Sequence, residues 1–144
     1  MDTRIFYLVV MTFFGGNYSC KKIEETGFLL LSTIDSISFI YPKEMNHRFD
    51  LIETILQITD LSKGSIFMSV FDKTTWTIYF ILQGPVSTIF RLNKRQNVNL
   101  PKKPKVKCSF KIASNWTCES IYEANDLILS SLSFDTFKRK LYWS

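Results

Sequence analysis

From Lys105 to Ile112 the chain alternates strictly. Val106, Cys108, Phe110 and Ile112 interleave with Lys105, Lys107, Ser109 and Lys111. Side chains of an extended chain point to opposite faces in turn, so the pattern predicts a strand with one buried face and one basic face. The preceding segment, Gln96 to Pro104, carries Pro101 and Pro104, which deny it helix. Arg91, Lys94, Arg95, Lys102 and Lys103 extend the positive charge upstream, and no acidic residue occurs between Asp72 and Glu119. These charges therefore lack a partner nearby in sequence. A cationic segment mounted on a sheet suits a polyanion, either a nucleic-acid backbone or an anionic membrane surface. The competing reading is a solvated strand face beside a basic loop, since charge runs often serve only solubility.

The chain has 144 residues, enough for one domain with a sizeable core, and we read residues 1–144 as that single domain. It is 46% hydrophobic and 15% aromatic, which excludes disorder as the main state, and thirteen phenylalanines favour a β-rich interior. The net charge of +5 is concentrated in the central stretch. Cys20, Cys108 and Cys118 form an odd, sparse set. It fits reduced thiols, or a Cys108–Cys118 disulfide in a secreted chain that leaves Cys20 over. With His47 the single histidine and no CxxC or HExxH spacing, no metal site is expected.

Ile5 to Phe14, IFYLVVMTFF, is too short to span a bilayer. Two readings of it stand. It suits a buried strand ended by Gly15-Gly16, and it also suits the apolar core of a secretory signal. Asp2 beside Arg4, and Phe13 or Phe14 three residues before each candidate glycine junction, weigh against the signal. Asn17-Tyr18-Ser19 and Asn115-Trp116-Thr117 match the N-glycosylation pattern, a triplet common by chance.

Along the chain, Ser19 caps an expected helix running through Leu31 and Ile34, weakened by Gly27. Residues 37–41 read as extended, with Pro42 as the stop. Asn46 caps a second expected helix, His47 to Leu61, in which Phe49, Ile52, Ile55 and Leu56 share a face. Residues 65–71 and 75–82 read as a hairpin, ended by Gly84-Pro85. Trp116 and Cys118 fall in a turn, and Ser120 caps a helix to about Leu132. Ser133 to Leu141 forms a last helix or an amphipathic strand end. The expected fold class is α+β: one domain, mainly antiparallel sheet, packed with two to four helices.

No catalytic constellation stands out. Glu24-Glu25 lies beside Lys21-Lys22 and reads as local charge pairing. Cys20 near a helix start has no histidine near it in sequence, and the glycines are too few for a phosphate-cradling loop. We therefore expect a non-enzymatic protein with no cofactor and no small-molecule substrate.

The order of several segments resembles the folded core of rhabdovirus matrix proteins. Phe6 to Phe14 precedes Tyr18-Ser19-Cys20, as an aromatic strand precedes a Tyr-Ser helix start in that family. Arg48-Phe49 and the run to Leu56 look like its aromatic-led helix. Arg91 and Asn99-Leu100 lead into the Lys-flanked strand Lys105 to Ile112, and Ser133-Phe134-Asp135-Thr136-Phe137-Lys138-Arg139 is similar to its closing segment. The chain carries neither a PPxY nor a P[ST]AP motif, so the resemblance implies a compact form, as in plant-infecting rhabdoviruses. It implies a viral structural protein of the virion, host cytoplasm and membrane periphery. Such a protein self-associates, condenses the viral nucleocapsid (nucleoprotein–RNA) and contacts the anionic inner leaflet. The expected polyanion contacts are Arg91, Lys94, Arg95, Lys102, Lys103, Lys105, Lys107 and Lys111. The rival is a secreted or lipid-anchored β-rich binding module with residues 1–19 as signal peptide.

Overall fold

Residues 36–42, SISFIYP, and 77–83, TIYFILQ, are rich in β-branched and aromatic side chains, and both are strands at the centre of sheets. The computed structural model describes residues 28–42, 49–95 and 110–144. These form ten strands: β1 (Leu29–Ser32), β2 (Ser36–Pro42), β3 (Phe49–Ile58), β4 (Ser65–Asp72), β5 (Thr77–Gln83), β6 (Ser87–Lys94), β7 (Phe110–Ile112), β8 (Trp116–Ala124), β9 (Leu132–Asp135) and β10 (Lys140–Trp143). Two four-stranded antiparallel sheets, ordered β1-β2-β3-β7 and β4-β5-β6-β8, pack face to face, and the β9-β10 hairpin covers the other side of the second sheet. Where β1 meets β4, the Ile66 N–H donates to the Ile34 carbonyl at 2.8 Å and the Ser32 and Ser69 hydroxyls bond each other.

The second sheet is buried on both faces. Ile78, Phe80 and Leu82 of β5 point into the core between the sheets, with Phe39, Leu56, Leu92 and Trp116. Ile81 points the other way, to Ile89, Leu129 and Leu132 under the hairpin, joined by the half-buried Tyr79. A strand covered on both sides has no polar face, which is why β5 reads as a continuous apolar run. Full burial of Phe39 and Phe80 contributes up to about 3 kcal/mol each by area.

The fold differs from the α+β expectation. Among the described residues the only helical element is the 3-10 turn Leu61–Lys63, and the architecture is antiparallel β throughout. Of the stretch expected as a helix from His47 to Leu61, the described part from residue 49 on is β3 followed by the start of that turn. Its helix-like spacing comes from a β-bulge: Ile37 faces Leu56 and Ser38 faces Thr54, leaving Ile55 as the extra residue. Ile55 and Leu56 are therefore both buried, while Ile52 is 59% exposed. The same device explains the expected Ser120–Leu132 helix. In β8, Ile89 faces Tyr122 and Phe90 faces Ser120, so Ile121 is bulged and the strand changes faces. Trp116 and Cys118, expected in a turn, point into the inter-sheet core, whereas Ala124 points under the hairpin.

Leu29–Ser32, assigned to the first helix, is strand β1, and residues 133–141 fall in the β9-β10 hairpin, the strand alternative of that segment. The hairpin of β4 and β5, the extended 37–41 segment and the break at Gly84-Pro85 agree with expectation. The expected strand at residues 4–14, the helix start at Ser19, Cys20, His47 and Cys108 lie outside the described residues.

Candidate polyanion-binding end

Strand directions gather several turns at one end of the second sheet. β4 ends at Asp72, β5 begins at Thr77, β6 ends at Lys94 and β8 begins at Trp116. The Lys94 N–H donates to the Trp76 carbonyl at 3.2 Å and the Arg95 N–H to the Asn115 carbonyl at 2.7 Å, which ties these turns together. The β9-β10 turn joins them through Arg139, whose guanidinium grips the Asp72 carboxylate with both nitrogens, Nη1 to Oδ1 at 2.8 Å and Nη2 to Oδ2 at 2.5 Å.

Asp72 has no solvent exposure, and it also accepts from the Thr74 N–H at 3.1 Å and from the Thr75 hydroxyl. The Arg139 hydrogen bonds are the main cause that lowers its pKa from 3.8 to about 2, with burial opposing. Arg139 pays for this geometry with a backbone φ of 57° and packs its guanidinium 5.0 Å from the Phe134 ring, which stacks on Tyr79. The second carboxylate at this end, Asp135, accepts the Phe137 and Lys138 N–H groups, each at 2.9 Å.

The two carboxylates are thus committed to the protein's own donors, while Lys73, Arg95, Lys138 and Lys140 are exposed there. At the opposite end lie Asp35, Asp60, Glu123 and Asp126 together with Lys63, so among the described residues that end carries net negative charge.

The expected contact residues divide. Arg91 is held on β6 by Glu119, its cross-strand neighbour on β8, with the Nε–Oε1 bond at 2.6 Å. Its partner is distant in sequence but adjacent in the sheet. Lys94 lies with Nζ 4.4 Å from the Trp76 ring centroid, half-buried against an aromatic cluster that includes Phe28, Phe39 and Phe71. Arg95 is exposed at the basic end. Lys111 is exposed on β7, with Phe110 and Ile112 turned inward, so the expected alternation holds over these three residues. Lys102, Lys103, Lys105 and Lys107 lie outside the described residues, in the segment that follows Arg95 directly in sequence.

Sequence reasoning missed Lys73, Lys138 and Lys140. The run Phe137-Lys138-Arg139-Lys140 was the available signal, and assigning it to a helix or strand hid its place in a turn. Among the described residues no group of three His, Cys, Asp or Glu side chains is arranged to hold a metal ion. Comparison of the chain with protein-family models, with curated proteins and with solved structures finds no match.

Proposed function

We propose that this protein is a non-enzymatic binding module that takes a polyanion at the basic end of its sandwich. The observation that carries the reading is the pairing pattern there. Asp72 and Asp135 are bound internally, and the exposed Arg95, Lys138 and Lys140 present positive charge outward. The Lys-rich stretch 96–109, with Lys102, Lys103, Lys105 and Lys107, follows Arg95 directly in sequence and is proposed to contribute to the same contact. Phosphate contacts of this kind position a ligand without reading its bases. A viral matrix role, with nucleocapsid and anionic leaflet as ligands and self-association between copies, is one form of this proposal.

Changing Lys102, Lys103, Lys105 and Lys107 to Glu tests the reading. The parent should bind a single-stranded oligoribonucleotide and anionic vesicles with affinity that falls steeply as salt rises, and the variant should lose both. Equal binding by parent and variant across the salt titration refutes it.

The second form, a secreted or lipid-anchored β-rich module, draws support from two observations. The segment from Phe49 to Leu56, an aromatic-led helix in the matrix resemblance, is strand β3. Asn115 of the Asn-Trp-Thr triplet is exposed in the turn before β8, where a glycan has room. Mass measurement on protein from its native source separates the two forms: loss of residues 1–19 or a glycan on Asn115 supports the second, and an intact, unmodified chain the first.

A further inference from the structure

Phe137 is 98% exposed, the highest value of any large apolar side chain among the described residues. It stands at the tip of the β9-β10 hairpin, followed by Lys138, Arg139 and Lys140. Packing gives no reason for a phenylalanine in water at the apex of a turn, and isolated exposure alone would not require a ligand.

The support beneath this tip makes it more than a stray side chain. Asp135 fixes the turn by accepting the Phe137 and Lys138 N–H groups, each at 2.9 Å. Arg139 clamps it to the fully buried Asp72. A rigid tip loses little conformational freedom on binding.

We infer that this hairpin is a membrane wedge: Phe137 enters the interfacial layer of an anionic bilayer while Lys138 and Lys140, with Arg95 of a neighbouring turn, contact lipid headgroups. The inference rests on the polyanion reading and narrows it to lipid. An apolar side chain flanked by cations matches the two signals of interfacial binding, buried apolar surface and attraction to anionic lipid. The tip is the apex of a two-stranded hairpin, whereas single-stranded nucleic acid is gripped in a groove with stacking platforms along it. The opposite end, with Asp35, Asp60, Glu123 and Asp126 against Lys63, would point away from the bilayer, so the charges of the described residues favour this orientation.

The test uses the full chain with phosphatidylcholine vesicles, with or without phosphatidylserine, and with a single-stranded oligoribonucleotide. Phe137→Ser should bind phosphatidylserine vesicles about tenfold more weakly, the loss expected when one exposed aromatic ring no longer leaves water. It should keep the parent's oligoribonucleotide affinity and melting temperature. Lys138→Glu with Lys140→Glu should weaken vesicle binding by more than about 25-fold, fivefold for each basic residue near an anionic surface. The fluorescence of Phe137→Trp should be quenched by brominated acyl chains beyond the quenching of the three native tryptophans. Vesicle binding unchanged in Phe137→Ser, or no added quenching of Phe137→Trp by brominated lipid, overturns the wedge and leaves the polyanion reading standing. Equal loss of vesicle and oligoribonucleotide binding in Phe137→Ser also overturns it, in favour of base stacking. A parent chain that binds neither ligand at low salt removes the polyanion reading itself.

Discussion

Replacing Arg139 by methionine keeps a long side chain over Phe134 but strips the partner from a carboxylate that has no solvent exposure. Asp72 would retain the Thr74 N–H and the Thr75 hydroxyl but lose the bidentate guanidinium. Breaking a buried pair from one side costs about 3–5 kcal/mol, a large part of the stability of a domain this size. The pH dependence gives an independent measure. An ordinary carboxyl titrates at 3.8 and Asp72 at about 2 in the folded protein. At about 1.4 kcal/mol per tenfold change, the gap is worth roughly 2 kcal/mol.

Because the folded pKa is depressed, that contribution is complete above pH 3.8 and is lost as pH falls toward about 2. In Arg139→Met the buried carboxyl favours its protonated form, so the sign reverses and acid relieves the defect. Urea unfolding at neutral pH should show the variant less stable by about 3–5 kcal/mol, with the difference from the parent shrinking as pH falls from the variant's raised pKa toward the parent's of about 2. Asp72→Asn with Arg139→Met should recover part of the loss, since no buried charge is then stranded. Equal midpoints for parent and Arg139→Met at neutral pH, or a difference that does not change with pH, would refute the reasoning.

Ile55→Ala should cost about 2–5 kcal/mol in urea unfolding and Ile52→Ala about 0.5 kcal/mol or less, because the bulge buries the first and leaves the second 59% exposed. A helix with both on its inner face would make the two losses similar. Gly64→Ala should lower the melting temperature by an amount worth more than about 1 kcal/mol, since Gly64 has φ 139° and an added Cβ would stand 2.7 Å from the Gln83 carbonyl oxygen. An unchanged melting temperature contradicts that geometry. Glu119→Gln should change stability by about 1 kcal/mol or less, as befits a pair about two-fifths exposed, and should strengthen polyanion binding by releasing Arg91. Unchanged or weaker binding would place Arg91 away from the ligand.

Elements whose burial is simple were readable from the sequence. Phe110 and Ile112 alternate with Lys111 because one face of β7 meets the core and the other meets water. The β4-β5 hairpin declared itself through two apolar runs around a polar turn. The rest was obscured by bulges. Ile55 in β3 and Ile121 in β8 each insert one residue, and an insertion into a period of two puts apolar residues at spacings of three and four, the signature of a helix face.

The candidate site was half visible for a related reason. Charge runs are local in sequence, so Arg95 and the lysines from 102 to 111 stood out. The pairing of Arg91 with Glu119 and the docking of the β9-β10 turn on the β4-β5 turn depend on strand register and on the clamp from Arg139 to Asp72, which no local window contains.

Amide chemical-shift mapping of the full chain, titrated first with phosphatidylserine-containing bicelles and then with a single-stranded oligoribonucleotide at low salt, locates the ligand directly. A ligand at the basic end perturbs residues 73–76, 93–95 and 136–140, with the shifts reversing as salt is added. Shifts confined to the opposite end, around Asp60, Glu123 and the 80%-exposed Ile128, would contradict the assignment, as would no shifts with either ligand.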